Sequence, residues 1–290
     1  ILGSIVFTQL LSGSVKSQIK GAYLVYLLVT LYVIKETASQ QGFLVLLIGS
    51  TVSLGVFVYG KSRALGYSYL ALAAVGFFAV LIGTLNKGPL AARLYKDSVT
   101  YRGDYWRAGW KMTVDNPIFG VGLDSYGDWY RRSRTIEATL RRGPDITSNA
   151  AHNVFLDFSS YGGFPLLLIY LALMILVIIS AFRVIKRSRD FNAGFVGLVA
   201  GWVTFQAQSM ISINQIGLAV WGWVLSGLIV AYESVLRGRE TSPKDSRRGG
   251  KSDDDLRATI ISPGLLAGVG ALVGALIAFP PLNSDLKWRA

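Results

Sequence analysis

Phe164-Pro165-Leu166-Leu167-Leu168-Ile169-Tyr170-Leu171-Ala172-Leu173-Met174-Ile175-Leu176-Val177-Ile178-Ile179-Ser180-Ala181-Phe182 decides the fold. The run has no ionisable residue, and as a helix it reaches about 28 Å, close to the hydrocarbon thickness of a bilayer. Arg183, Lys186, Arg187 and Arg189 follow it directly. Such a cluster marks the cytoplasmic end of a span, so the residues ahead of Phe164 are expected outside.

Other apolar runs fit the same scheme. On the N-terminal side they are Ala22 to Ile34, Phe43 to Tyr59 and Leu65 to Leu85; on the C-terminal side, Phe195 to Ile211, Gly217 to Tyr232 and Ile260 to Phe279. Ile1 to Leu11 is apolar but too short to cross, and reads as the remnant of a span cut at the N-terminus. Hydrophobic residues make up 52% of the chain and charged ones 16%, which excludes an ordinary soluble domain. The expected fold is all-α: a polytopic transmembrane helical bundle with one large extracytoplasmic helical loop. Its divisions are 1–85 (transmembrane helices), 86–163 (the loop), 164–236 (transmembrane helices), 237–259 (a cytoplasmic linker) and 260–290 (a final span and tail). The linker is a Ser, Gly, Lys, Arg and Asp mixture, read as disordered. Asp253-Asp254-Asp255 within it reads as solvated charge, not a metal site.

Lys and Arg number 29 against 17 Asp and Glu. These charges sit in the connections between apolar runs, where they set topology and meet lipid headgroups; no nucleic acid is expected as a partner. One histidine and no cysteine leave too few ligands for a zinc site, and no cofactor is expected.

Segment 86–163 is too long for an ordinary connection, and its function is sought there. Tyr105 to Val114 suits an amphipathic helix ended by Asp115-Asn116-Pro117. Gly120-Val121-Gly122 reads as a tight turn; without a third glycine or a preceding strand it is not a phosphate-binding fingerprint. Leu123 to Leu140 reads as one further helix. Ser148 or Asn149 is placed to cap another that starts near Ala150. His152 is either a base able to take a hydroxyl proton near neutral pH or a capping, interfacial residue. Eight arginines, Arg93, Arg102, Arg107, Arg131, Arg132, Arg134, Arg141 and Arg142, stand among aromatics. Their planar forks suit phosphate oxygens or lipid headgroups.

The order Arg102, Trp106, Asp115-Asn116-Pro117-Ile118-Phe119-Gly120-Val121-Gly122, Ala151-His152-Asn153-Val154-Phe155-Leu156 and Gly162-Gly163 resembles the O-antigen ligase and O-antigen polymerase superfamily. That resemblance implies a glycosyltransferase C-like protein of the bacterial inner (plasma) membrane. It implies transfer of a glycan from a polyprenyl pyrophosphate carrier, undecaprenyl pyrophosphate, to a hydroxyl of a glycan, lipid or protein acceptor, without a metal. By motif, His152 is then the catalytic base and Arg102 a contact to the pyrophosphate. Asn153 joins the substrate-binding set, with Arg131, Arg132, Arg141 and Arg142 as candidates from the variable stretch. Ser62-Arg63 matches a further family element and makes Arg63 a candidate too, yet only one apolar run separates it from the loop, which puts it in the cytoplasm. A polymerase of the same superfamily and a transporter of lipid-linked sugars are the alternatives. Ion-coupled transport calls for ionisable residues inside the spans, and the apolar runs contain none.

Overall fold

The computed structural model describes residues 1–37, 39–188 and 190–241, and every regular element among them is a helix. The first four are α1 (Leu2–Leu11), α2 (Ser17–Glu36), α3 (Gln40–Lys61) and α4 (Arg63–Thr84). The loop holds α5 (Ala91–Leu94), α6 (Asp97–Asp115), α7 (Tyr126–Ser133) and α8 (Ile136–Arg142). Then come α9 (Val154–Arg187), α10 (Ala193–Ser209) and α11 (Ile216–Thr241). Helices α2, α3, α4, α9 and α11 are long and apolar enough to cross a membrane. The final expected span, Ile260 to Phe279, lies outside the described residues. So does most of the expected linker, whose first residues from Arg237 to Thr241 continue α11.

The spans outrun the apolar runs because polar caps set where they begin. Ser39 accepts from Gly42 N and Ser62 from Leu65 N, each meeting a donor that the first helical turn leaves open. Asn192 accepts from Phe195 N in the same way at α10, which covers the expected span Phe195 to Ile211 but, at 17 residues, is not among the helices long enough to cross. Two-thirds of α10 is buried in the bundle, including Phe195, Val199, Ala200, Trp202 and Thr204. Small polar residues let α1, α3 and α10 approach closely. Ser4 Oγ lies 2.7 Å from Thr204 Oγ1 and Thr8 Oγ1 lies 2.5 Å from Ser53 Oγ. A Cβ at Gly49 would overlap both Ser4 and Thr204. Such interhelical hydrogen bonds contribute about 0.6–2 kcal/mol each in an apolar medium.

Helix α11 carries an ionisable residue just beyond the apolar run. Glu233 is 3% exposed and faces Arg183 at 3.9 Å, Arg187 at 3.7 Å and Arg237 at 3.9 Å, which ties the ends of α9 and α11 together.

Helix α9 is broken where its sequence reads Gly162-Gly163-Phe164-Pro165. Gly162 (φ −133°, ψ 19°) and Gly163 (φ 67°, ψ −166°) leave helical geometry. Ahead of the kink, Leu156 and Tyr161 pack on the loop while Val154, Phe155 and Phe158 join the core of the bundle; the residues from Phe164 onward form the span.

Candidate active site

The Asn116 to Gly122 motif is a strap laid against the kink. Pro117 cannot extend α6, and Asn116 turns its side-chain amide back to Met112 O at 3.2 Å. Val121 N then donates to Ser160 O at 2.7 Å, Gly122 N to Tyr161 O at 3.1 Å, and Phe164 N to Pro117 O at 2.8 Å. The strap thereby supplies partners for backbone groups that the broken helix frees. The backbones are so close that only glycine fits. A Cβ on Gly120 would lie 2.5 Å from the Tyr161 carbonyl carbon, and one on Gly163 2.7 Å from those of Pro117 and Ile118.

Over this strap α6 buries one face against α9 and α7, through Tyr105, Ala108, Gly109, Met112 and Thr113. Gly109 sets the spacing: a Cβ there would already touch Tyr126 at 3.3 Å and Ala151 at 3.4 Å. Tyr126, fully buried, donates its hydroxyl to Tyr105 O at 2.6 Å, and burial pushes its ionisation far up. Thr113 and Ser159 hydroxyls meet at 2.9 Å across α6 and α9.

His152 sits at the apex of a short, fixed turn. Ser148 Oγ donates to Ala150 O at 2.8 Å, and Ala151 N donates to the buried Asp157 Oδ1 at 2.6 Å. Asn153 Oδ1 accepts from Phe155 N at 3.0 Å and Leu156 N at 3.3 Å, so Asn153 caps α9. The cap expected from Ser148 or Asn149 is therefore Asn153, and the helix begins at Val154. Held from both sides, His152 takes a left-handed backbone (φ 58°) and lays its ring on Tyr105, centroids 5.2 Å apart and planes 19° from parallel. The half-buried ring makes no hydrogen bond to another described residue, which leaves its nitrogens for a ligand. Burial first, and the Arg102 guanidinium second, hold its pKa below the ordinary histidine value. Burial likewise lowers that of Arg102, opposed by Tyr105.

Helices α7 and α8 replace the single helix expected from Leu123 to Leu140. The chain breaks at Arg134, and Thr135 caps α8 by accepting from Ala138 N at 3.2 Å. Arg134 is spread over the carbonyls of Ile146 and Pro144, each at 2.7 Å, which fixes the return of the chain to Ala150. Arg141 reaches the buried carboxylate of Asp104 at 2.5 Å. Arg142 donates to the Tyr105 hydroxyl and covers the Tyr101 ring at 4.5 Å.

Of the candidates, His152, Arg102 and Arg142 are brought together: Arg102 couples electrostatically to His152, and Arg142 reaches it through Tyr105, whereas the side-chain oxygen of Asn153 is engaged in capping α9. Arg131 and Arg132 are exposed on α7, with Arg132 over the Trp129 ring at 5.6 Å. Arg141 is engaged by Asp104. Arg63 begins α4 at the end remote from the loop, beside Lys186 and Arg187. It is about 33 Å of helix from Thr84 and is not brought to His152.

Sequence reasoning missed the roles of Tyr105, Asp104 and Asp157, and offered Arg134 to phosphate or headgroups where its fork is engaged by the carbonyls of Ile146 and Pro144. Only Asp157 carries a readable mark, as a lone carboxylate within the apolar Val154-Phe155-Leu156-Asp157-Phe158.

A family model described as O-antigen ligase matches residues 23–171. The chain belongs to the O-antigen ligase family. The match runs from α2 into the span of α9 and takes in the strap, Arg102 and His152. As a member of this family of glycosyltransferase-like enzymes, the chain is a multi-pass membrane protein of the O-antigen ligase or polymerase type. No curated protein and no solved structure matches it.

Proposed function

We propose that this O-antigen ligase family member transfers a glycan from a polyprenyl pyrophosphate carrier, undecaprenyl pyrophosphate, to an acceptor hydroxyl in the bacterial inner membrane, acting as a ligase. The observation that carries the reading is the half-buried imidazole of His152, laid on Tyr105 with no hydrogen-bond partner among the described residues, its pKa held below the ordinary histidine value by burial and by the Arg102 guanidinium. A base that takes a hydroxyl proton near neutral pH must be unprotonated beforehand, and a neighbouring fixed cation favours that state.

In the proposed step the acceptor oxygen attacks the anomeric carbon and its proton passes to His152. The bond from that carbon to the carrier's phosphate oxygen breaks, and the electron pair leaves on the pyrophosphate. Arg102 meets the charge that develops there, with Arg142 the next cation at hand. A preorganised guanidinium stabilises such a leaving group without reorganisation, and this reading assigns the task to arginine, not to a metal. The bond to Asp157 and the Asn153 cap hold the turn that lays the imidazole on Tyr105, so that in this reading donor and acceptor meet at a base of fixed position.

The test is transfer from a polyprenyl pyrophosphate-linked glycan by purified, reconstituted protein, alongside the glycan profile of a deletion strain complemented with the native chain or with His152→Ala. The native chain is expected to restore glycan on the acceptor, and the variant to leave lipid-linked donor accumulated. Restoration by His152→Ala at native level refutes the assigned chemistry. Growth of donor-linked chains in place of acceptor glycosylation refutes the ligase assignment.

A further inference from the structure

At the membrane face opposite the loop, a cleft of about 650 Å³ opens where α3 turns into α4 and α9 into α10. Its volume is that of a small-molecule site. Lys61, Arg63, Lys186 and Arg187 line it, against Asp190 as the one carboxylate among the described residues of its wall. Lys61, Arg63 and Lys186 enter no ion pair among the described residues, whereas Arg187 is shared with Glu233 at 3.7 Å. The N-termini of α4 and α10 and the C-termini of α3 and α9 all meet at the cleft, so their dipole ends offset one another and the side-chain cations carry its charge. Tyr59 and Tyr67, edge to face at 5.9 Å, form an aromatic wall at the ends of α3 and α4, and such rings are enriched at membrane–water interfaces.

We infer that this cleft is a binding site for a phosphate group, of the kind carried by an anionic phospholipid headgroup. A positive-inside signal needs cations near helix ends but no cavity between them. Here the cations come from two separate hairpins and meet around one. A phosphodiester accepts the fork of Arg63 and the ammonium groups of Lys61 and Lys186 together, while its acyl chains remain in the bilayer beside α3 and α4. The inference is independent of the glycosyl-transfer reading, which uses neither this cleft nor Arg63.

The experiment reconstitutes the full chain in phosphatidylcholine vesicles with a trace of spin-labelled phosphatidylglycerol or spin-labelled phosphatidylcholine. The motionally restricted fraction of each probe is read by electron paramagnetic resonance. Phosphatidylglycerol is expected to be preferred. The combined Lys61→Gln, Arg63→Gln and Lys186→Gln variant should lower that preference at least about five-fold, the factor supplied by one interfacial cation. Because that variant also weakens a topology signal, Asp190→Asn serves as the second variant. It keeps every cation and should raise the preference. Excess inorganic phosphate, compared with chloride at equal ionic strength, separates the sources: a preference that persists assigns the site to the lipid headgroup, and one that phosphate abolishes assigns it to a soluble phosphate ester. Equal restriction of the two probes by the native chain, or a preference unchanged in both variants, overturns the inference.

Discussion

Replacing Gly163 by alanine tests whether the kink and strap hold the site together. The backbone of Gly163 (φ 67°, ψ −166°) lies in a region open essentially to glycine alone, and forcing another residue there costs about 1–3 kcal/mol. The new methyl would also lie 2.7 Å from the carbonyl carbons of Pro117 and Ile118, which are backbone and cannot rotate away. Relief requires the strap to lift, and with it go the bonds Phe164 N to Pro117 O, Val121 N to Ser160 O and Gly122 N to Tyr161 O. At about 0.5–1.5 kcal/mol net for each, the total loss is about 3–7 kcal/mol, a large part of the stability of a typical domain. The assay is thermal unfolding of detergent-solubilised protein, followed by the folded fraction on size exclusion after heating. Gly76→Ala in α4 is the control: nothing lies within 4 Å of its added methyl, so it should unfold at or slightly above the native temperature. If Gly163→Ala unfolds with the control and transfers glycan normally, the strap does not hold the site and the reasoning fails.

His152→Ala should leave the folded, membrane-inserted yield nearly unchanged while transfer per folded molecule falls about 10²- to 10⁴-fold; near-normal normalised transfer would instead mark a packing residue. Burial and Arg102 both depress the His152 pKa, so the acid limb of the native activity profile should lie below the ordinary histidine range near 6.5. Arg102→Gln removes one of these causes, so the acid limb of its residual activity should move to higher pH, and an unmoved limb would show that the two groups do not communicate. Asp104→Asn removes the charge that holds the partly exposed Arg141, which should loosen α8 and make it the first site of tryptic cleavage; a native cleavage pattern would show that α8 is held by other contacts. For topology, cysteines at the exposed Thr147 and Ser188, in a chain without its own, should react with an impermeant reagent only at Thr147; outside labelling of Ser188 would reverse the orientation.

Much of the architecture was legible because a bilayer demands long uncharged runs, and Phe164 to Phe182 supplies one without ambiguity. What escaped depended on contacts between distant residues. Gly120 and Gly122 read correctly as a turn, but the reason for glycine at 120 is the approach of Ser160 and Tyr161, which no local pattern announces. The cap fell on Asn153 and not on Ser148 or Asn149 because Asp157 draws Ala151 N into a bond before the helix can start. Arg141 and Arg142 looked free to meet phosphate, since Asp104 and Tyr105 stand 37 residues away in sequence. Glu233 hid at the edge of an apolar run, where its arginine partners on α9 could not be read. His152 was found as the lone histidine in a motif; the tyrosine beneath its ring was not, because stacking leaves no trace in spacing.

The backbone bonds joining the strap to the kink have a topological consequence. They pin Gly122 beside Tyr161, so residues 123–160 form a closed detour whose two feet are fixed whatever its contour length. Lengthening a flexible loop adds only about 0.6 kcal/mol per doubling, so the exposed connection at Leu123 and Asp124, ahead of the packed α7, can be extended at little thermodynamic cost. His152 keeps its address through such extensions, because its turn is anchored to Asp157 and Asn153 at the returning foot. The length of the detour and the placement of its histidine are therefore separable traits, and an insertion ahead of α7 changes one without disturbing the other.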